Sequence, residues 1–342
     1  MGITETGKKK DMQITMKVLV TGGGGFLGNA IAKRLLKRGD HVRSFSRGDY
    51  PEMRASGVDV QRGDLVDKNA VMTAVEGCDA VFHVAAKPGI WGKYSEYHAT
   101  NVIGTENIIE ACHQTGVSKL VYTSSPSVVF GGESMEGVNE STPYPKSHPT
   151  HYLTTKARAE RMVLSANTKT LATVALRPHL IWGPGDPNFL PRLIERKKSG
   201  RLAKLGNQPH LVDCIYIDNA VDAHILALER LHPGSPVAGK AYFISQGDPI
   251  DIGELMDGIL AAADLDPIDR IVSEKLAYVA GWLLELIYGT LKLKGEPPMT
   301  RFLAKQLSTA HWFDISTARE ELGYTPTISI TEGLKRLSES LK

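Results

Sequence analysis

The chain has 342 residues, 42% hydrophobic and 23% charged, values near the globular average that exclude a disordered or fibrous polypeptide. Its 40 Lys and Arg against 38 Asp and Glu leave a formal charge of +2, without the basic excess expected of a nucleic-acid binder. Three scattered cysteines, Cys78, Cys112 and Cys214, are too few for a disulfide scaffold or a zinc site and suit a reducing cytoplasm; no metal site is expected.

Residues 1–15 are polar, include Lys8-Lys9-Lys10 and read as a disordered extension. Their Met1-Gly2-Ile3-Thr4-Glu5-Thr6 start matches the loose myristoylation pattern, which recurs by chance. The fold begins with the β-rich run Lys17–Thr21, then glycines, then a helix over Phe26–Arg38 that Gly39 ends. Strands follow at His41–Ser46, Val58–Gln61 and Ala80–Val84, then helix Ala99–Thr115, strand Lys119–Thr123, helix Tyr152–Ala166 and strand Leu171–Leu176. Such alternation predicts βαβ units in a Rossmann-type, doubly wound parallel α/β sheet.

After Trp182 the pattern loosens. The turn cluster Gly183-Pro184-Gly185-Asp186-Pro187 precedes helical patterns at Leu190–Ser199, Asp218–Leu231, Ile252–Ala263, from Leu276, and Thr331–Leu341. Two runs, Cys214–Ile217 and Ala241–Ile244, are suited to return to the main sheet. The expected division is a dinucleotide-binding domain over 16–185, with 214–245 returning to it. A smaller, mainly helical substrate cap takes 186–213 and 246–342. The stretch Leu276–Leu293 is the most apolar late segment, but Glu285 and two glycines interrupt it. It falls short of a membrane span and reads as a buried or interfacial helix meeting an apolar substrate or a bilayer surface.

Thr21-Gly22-Gly23-Gly24-Gly25-Phe26-Leu27-Gly28 follows a strand and opens a helix, the context of a dinucleotide fingerprint. Gly22 permits the tight turn and Gly25 the approach of backbone amides to a pyrophosphate. Phe26 and Leu27 begin the helix that receives it, and Gly28 lets that helix pack on the strand. The second strand ends Ser44-Phe45-Ser46-Arg47-Gly48, without the carboxylate that holds a free ribose 2′-hydroxyl. Ser46 and Arg47 would accept a 2′-phosphate, so NADP(H) is expected over NAD(H). Asp64, followed by Leu65, is read either as a partner of the adenine amino group or as an N-cap of the next helix.

Tyr152 and Lys156 form a YxxxK pattern, on one face of a helix at four-residue spacing. A nearby ammonium would favour the phenolate and bring the phenol toward working pH. The preceding strand ends Thr123-Ser124-Ser125-Pro126-Ser127, where a serine can donate to a carbonyl oxygen. With Arg177-Pro178-x-x-Ile181-Trp182-Gly183-Pro184-Gly185-Asp186 and Tyr216-Ile217-Asp218-Asn219, these motifs resemble the extended short-chain dehydrogenases/reductases over residues 16–341. The resemblance implies that Tyr152 is the proton donor/acceptor and that Lys156 also holds the nicotinamide ribose. It places the active serine best at Ser125, with Ser124 and Ser127 as rivals, gives Asn101 a structural role and sets Pro178 near the carboxamide. His83-Val84-Ala85-Ala86-Lys87 departs from the family's Asn-Ala-Ala-Gly pattern, with Ala85 and Ala86 in the cofactor-lining positions.

Trp91-Gly92-x-Tyr94-x-x-Tyr97-His98 and Gly295-Glu296-Pro297-Pro298-Met299-Thr300-Arg301-Phe302 are similar to the 3β-hydroxysteroid/sterol dehydrogenase branch. Within it, the likeness to bacterial reductases of long-chain olefin biosynthesis implies NADPH-dependent reduction of a long-chain 2-alkyl-3-oxoalkanoate to the 3-hydroxy acid. A 3β-hydroxysteroid or sterol-4α-carboxylate dehydrogenase is the alternative. Trp91, Tyr94, Phe189, Leu190 and Trp282 are candidates for an apolar cleft, and Lys87, Lys93, Arg192 and Arg301 for a substrate carboxylate. Homodimerisation through helices 99–115 and 152–166, and a peripheral membrane or multi-enzyme association, complete the expectations.

Overall fold

A computed structural model describes residues 15–342; the expectations for the Met1-Gly2 segment lie outside these residues. Seven strands form the main sheet: β1 (Lys17–Thr21), β2 (His41–Ser46), β3 (Asp59–Arg62), β4 (Ala80–His83), β5 (Lys119–Thr123), β6 (Ala172–Pro178) and β7 (Lys240–Ile244). All pair in parallel, in the order β7-β6-β5-β4-β1-β2-β3. The central strands are apolar runs because both faces are covered. Val18 and Val20 face one core cluster and Leu19 the other.

Helices α1 (Phe26–Arg38) and α6 (Ile217–Arg230) cover the first face, tied by Arg34 to Asp222 and by Arg38 to Glu229. Helices α2 (Lys68–Val75), α3 (Gly104–Thr115) and α4 (His151–Ser165) contribute Val71, Ile108, Ala111, Ala159 and Val163 to the second. Strand order reverses between β1 and β4, and a doubly wound sheet binds its ligand in the crevice at such a reversal. The carboxyl ends of β1, β4 and β5 and the first turn of α4 therefore share one rim.

Beyond β6 the further α-helices are α5 (Phe189–Lys198), α7 (Ile252–Ala262), α8 (Glu274–Thr290), α9 (Arg301–Leu307) and α10 (Ile330–Leu341). A four-stranded sheet of Ile250–Asp251, Leu211–Val212, His311–Phe313 and Met135–Val138 binds this cap to the loop after β5. The return of Cys214–Ile217 to the main sheet is corrected: Ile215–Tyr216 pairs instead with Ile181–Trp182 in a separate ladder, and Ile217 already opens α6. Only Lys240–Ile244 joins the main sheet, against β6. The helix expected at Ala99 starts at Tyr94 and passes through a π-turn over His98–Ile103 before α3.

Candidate active site

The glycine loop is shaped by contacts that exclude side chains. Gly22 is left-handed at φ 68°, and a Cβ on Gly28 would lie 2.3 Å from the Gly22 carbonyl oxygen. Gly25 caps α1 without a side-chain acceptor, and no acidic residue stands in the first turn. The positive end of α1 thus remains uncompensated, as an anion site requires. Ser44 Oγ faces this loop, and both it and Ser46 Oγ are buried without a partner. These orphaned hydroxyls and the bare helix end fit a dinucleotide.

Arg47 is exposed beyond Ser46, and its carbonyl accepts from Arg62 Nε at 3.4 Å. Arg62, aligned with Ser46 across the β2–β3 ladder, thus brings a second guanidinium that sequence reading did not single out. Its signal was an arginine at a strand end before Gly63-Asp64. Tyr50, also missed, lies so close over the loop that a Cβ on Gly24 would fall 2.0 Å from its Cζ.

The capping alternative for Asp64 is corrected: Asp67 caps α2, accepting from Asn69 N and Ala70 N, while Asp64 only accepts from Val66 N at 3.2 Å. Leu65 is buried against Gly104, and its carbonyl accepts from Asn107 Nδ2. Ala85 lies against Gly22 and donates its N–H to Thr21 Oγ1, and Ala86 follows it, half-buried.

Thr21 Oγ1 accepts from the N–H groups of both Val84 and Ala85, so its own proton goes to His83 Nδ1, 2.8 Å away. His83 Nε2 then donates to Thr105 Oγ1 at 2.9 Å, and Thr105 donates to the Asn101 carbonyl. Burial pushes the His83 pKa down to about 3, so the ring is neutral, as this chain of donors demands. Asn101, inside the π-turn, accepts from Lys87 N and donates to Lys87 O and Thr155 Oγ1. A continuous network therefore runs from the glycine loop to α4.

On α4, Tyr152 is half-buried and Lys156 buried. Burial pushes Tyr152 up to about 12, with the Ser125 hydroxyl acting in the opposite direction. The expected lowering of Tyr152 by Lys156 is not seen, because the ammonium is turned elsewhere. Lys156 Nζ donates to the Thr123 carbonyl at 2.6 Å and sits 4.2 Å from the Tyr122 ring centroid. Burial lowers its pKa to about 7, partly offset by Glu160.

Ser125 Oγ lies 2.8 Å from Ser127 Oγ, while Ser124 Oγ is buried without a partner. Of the three serines, Ser125 is the one whose hydroxyl acts on Tyr152. Pro178 ends β6, buried, and two residues later Leu180 takes the left-handed φ of 45°, its carbonyl accepting from Ile215 N.

Two cavities flank α8 and α9. One, of ≈1040 Å³, has Phe189, Leu193, Met256, Leu276, Met299 and Leu303 among its walls. The other, of ≈680 Å³, lies beside Thr150 and His151 at the start of α4, with Trp91, Phe130, Tyr278 and Phe302. Of the cleft candidates, Phe189 and Trp91 line cavities. Leu190 is core, Tyr94 is exposed beside His98 and His151, and Trp282 faces outward. Three candidate cations are already paired: Lys87 with Glu96, Arg192 with Glu296 and Arg301 with Glu285.

The model of the 3-beta hydroxysteroid dehydrogenase/isomerase family matches residues 19–273. The 2-alkyl-3-oxoalkanoate reductase of Stenotrophomonas maltophilia is 52% identical over 95% of this chain and 99% of its own. That of Shewanella oneidensis is 49% identical over 94% of this chain and 85% of its own. The human sterol-4-alpha-carboxylate 3-dehydrogenase (decarboxylating) is 33% identical over 98% of this chain and 91% of its own. Among solved structures, MoeE5 in complex with UDP-glucose and NAD superposes with a TM-score of 0.73 at 26% identity, covering 95% of this chain and 98% of that one. The chain belongs to the 3-beta hydroxysteroid dehydrogenase/isomerase family and is an oxidoreductase of the class acting on CH–OH and C=O groups.

Proposed function

We propose that the protein reduces the 3-oxo group of a long-chain 2-alkyl-3-oxoalkanoate to the 3-hydroxy acid with NADPH, as a step of olefin biosynthesis. The identity to two reductases of that name carries this reading, and the Ser125–Tyr152–Lys156 set beside a bare helix N-terminus supports it.

The α1 amides, with Ser46, Arg47 and Arg62, bind the phosphates. Asp64, Ala85 and Ala86 flank the adenosine side, and Lys156 and Pro178 the nicotinamide side. The dinucleotide, when bound, supplies the hydride for C3. Tyr152, pushed up to about 12, is protonated at neutral pH and donates its proton to the substrate's carbonyl oxygen. Ser125 donates a hydrogen bond to that oxygen and orients it. Lys156, one turn further along α4, would balance the charge when Tyr152 gives up its proton. We place the protein in the cytoplasm as a homodimer paired through the Tyr94–Thr115 and α4 helices.

Relatives named sterol and 3β-hydroxysteroid dehydrogenases, at 33–36% identity, favour a steroid as the second reading. NADPH consumption with a long-chain 2-alkyl-3-oxo acid, run beside a 3β-hydroxysteroid with NAD+ and NADP+, decides between them. Turnover of the keto acid is expected, and turnover of the steroid alone would overturn the first reading.

A further inference from the structure

Helix α8 carries an apolar face that nothing among the described residues covers. Leu276, Val279, Trp282, Leu283 and Leu286 are 49–62% exposed, and Tyr278 is 41% exposed. At 100° per residue these six fall within an arc of about 160° on one side of the helix. The opposite side holds Ala277 and Gly281, and a Cβ on Gly281 would lie 2.6 Å from the Thr300 backbone. That close approach locks α8 onto α9, so the apolar arc faces outward by construction. Ile271 before the helix and Leu291 and Leu293 after it are exposed as well. A soluble monomer rarely exposes so continuous an apolar surface without a partner.

Charge distinguishes the occupants. Lys275 near one end of the patch and Lys292 and Lys294 at the other are exposed and have no ion-pair partner among the described residues. Of the two carboxylates on the helix, Glu285 is paired with Arg301 and Glu274 lies against His210, so the three lysines outweigh them. Two copies of this chain meeting on α8 would set lysines against lysines in either helix orientation. A surface that is apolar beneath and anionic at its rim matches both features. The helix has 17 residues, and no helix of the described chain is long and apolar enough to cross a membrane, so the contact lies in the interface plane. Leu276 and Ile271 are exposed on this patch and also line the ≈1040 Å³ cavity. The apolar surface therefore runs unbroken from the outside into the cap.

We infer that α8 and its flanking lysines seat the protein on an anionic lipid surface, with the mouth of the ≈1040 Å³ cavity opening at the lipid. A substrate chain too apolar to dissolve would enter from the bilayer; only that last clause rests on the function proposed above.

Sedimentation of the full chain with phosphatidylethanolamine/phosphatidylglycerol vesicles, against phosphatidylcholine vesicles, tests the seat without reading turnover. Binding to the anionic vesicles is expected, weakening with salt. Trp282→Glu with Leu286→Glu abolishes it, and Lys275, Lys292 and Lys294→Gln together lower partitioning about a hundredfold. Unchanged melting temperature and unchanged NADPH binding show that the variants are folded. Equal binding to both vesicle types, or none to either, overturns the inference. So does a dimer that Trp282→Glu splits without any vesicle binding, which would give the face to a second copy.

Discussion

The Glu160 carboxylate meets the Arg177 guanidinium through two hydrogen bonds, Nη2 to Oε1 at 2.7 Å and Nε to Oε2 at 3.0 Å, with both side chains sealed from solvent. Tyr144 donates to the same carboxylate at 2.6 Å, and the guanidinium stacks over Phe243. The pair pins α4, one turn after Lys156, to strand β6. Glu160→Leu leaves a buried guanidinium unpaired and costs about 3–5 kcal/mol. Urea unfolding measures this, and a loss below about 1 kcal/mol would mean that the pair does not hold α4 in place.

Removing the proposed proton donor tests the chemistry. Tyr152→Phe lowers kcat by about 10²–10⁴ with little change in cofactor binding. Ser125→Ala lowers it by about 10²–10³, and Ser124→Ala, which alters a buried hydroxyl, leaves kcat near the parental value. Steady-state rates with the keto acid report all three, and a larger loss in Ser124→Ala than in Ser125→Ala would reverse the serine assignment.

The pH profile separates Tyr152 from Lys156. Burial depresses Lys156 to about 7, so it loses its charge above neutrality, whereas Tyr152 at about 12 stays protonated. With NADPH as the varied substrate, kcat/KM is expected to hold below pH 7 and fall above it. Lys156→Arg, a cation at every accessible pH, lowers the rate but removes that limb. A limb unchanged in Lys156→Arg would belong to another group.

Cofactor choice is expected to follow Ser46, Arg47 and Arg62. Arg47→Ala raises the KM for NADPH about 10–100-fold and leaves that for NADH within about threefold, because only the 2′-phosphate loses a charged hydrogen bond. Parallel NADPH and NADH titrations check this, and equal losses for both would move Arg47 away from the 2′ position.

Acid sensitivity comes from buried neutral histidines. Burial depresses His83 and His311 to about 3 and His179 and His224 to about 4, against an ordinary value of 6.5. Between those limits the unfolded chain holds more protons than the native one, so stability falls as pH drops through 6.5 toward 4. Each group adds up to about 1.4 kcal/mol per pH unit. Asp213, raised to about 6 mainly by burial, acts in the opposite sense between its ordinary 3.8 and 6, one group against four. Urea midpoints that stay level between pH 7.5 and 5 would show that these rings protonate in place.

Much of this molecule is legible in its sequence because its signals are local. Phe26–Arg38 and Lys119–Thr123 have in the structure the limits that a glycine stop and a β-branched run assign them. The glycine loop, YxxxK and the serine run mark their own places on strand ends and helix starts. What escaped reading depends on contacts between distant residues. The His83 relay needs Thr21, Asn101 and Thr105 brought together by the sheet, and no spacing announces it. The Cys214–Ile217 run looked like a core strand because burial alone makes a run apolar. The direction of Lys156 depends on the Thr123 carbonyl, which periodicity cannot place. Helix α8 was readable as apolar, but the side that faces out was decided by the fit of Gly281 on Thr300.

Strand β7 completes the sheet from beyond the first part of the cap, pairing Lys240–Ile244 against β6. Every residue of β6 is buried, so until Ile244 is synthesised a strand built for the interior presents an open edge. On the ribosome the sheet therefore stays open at this edge while residues 186–239, the first part of the cap included, emerge. A gene cut after residue 185 is therefore expected to encode an aggregating fragment in place of a separable cofactor module.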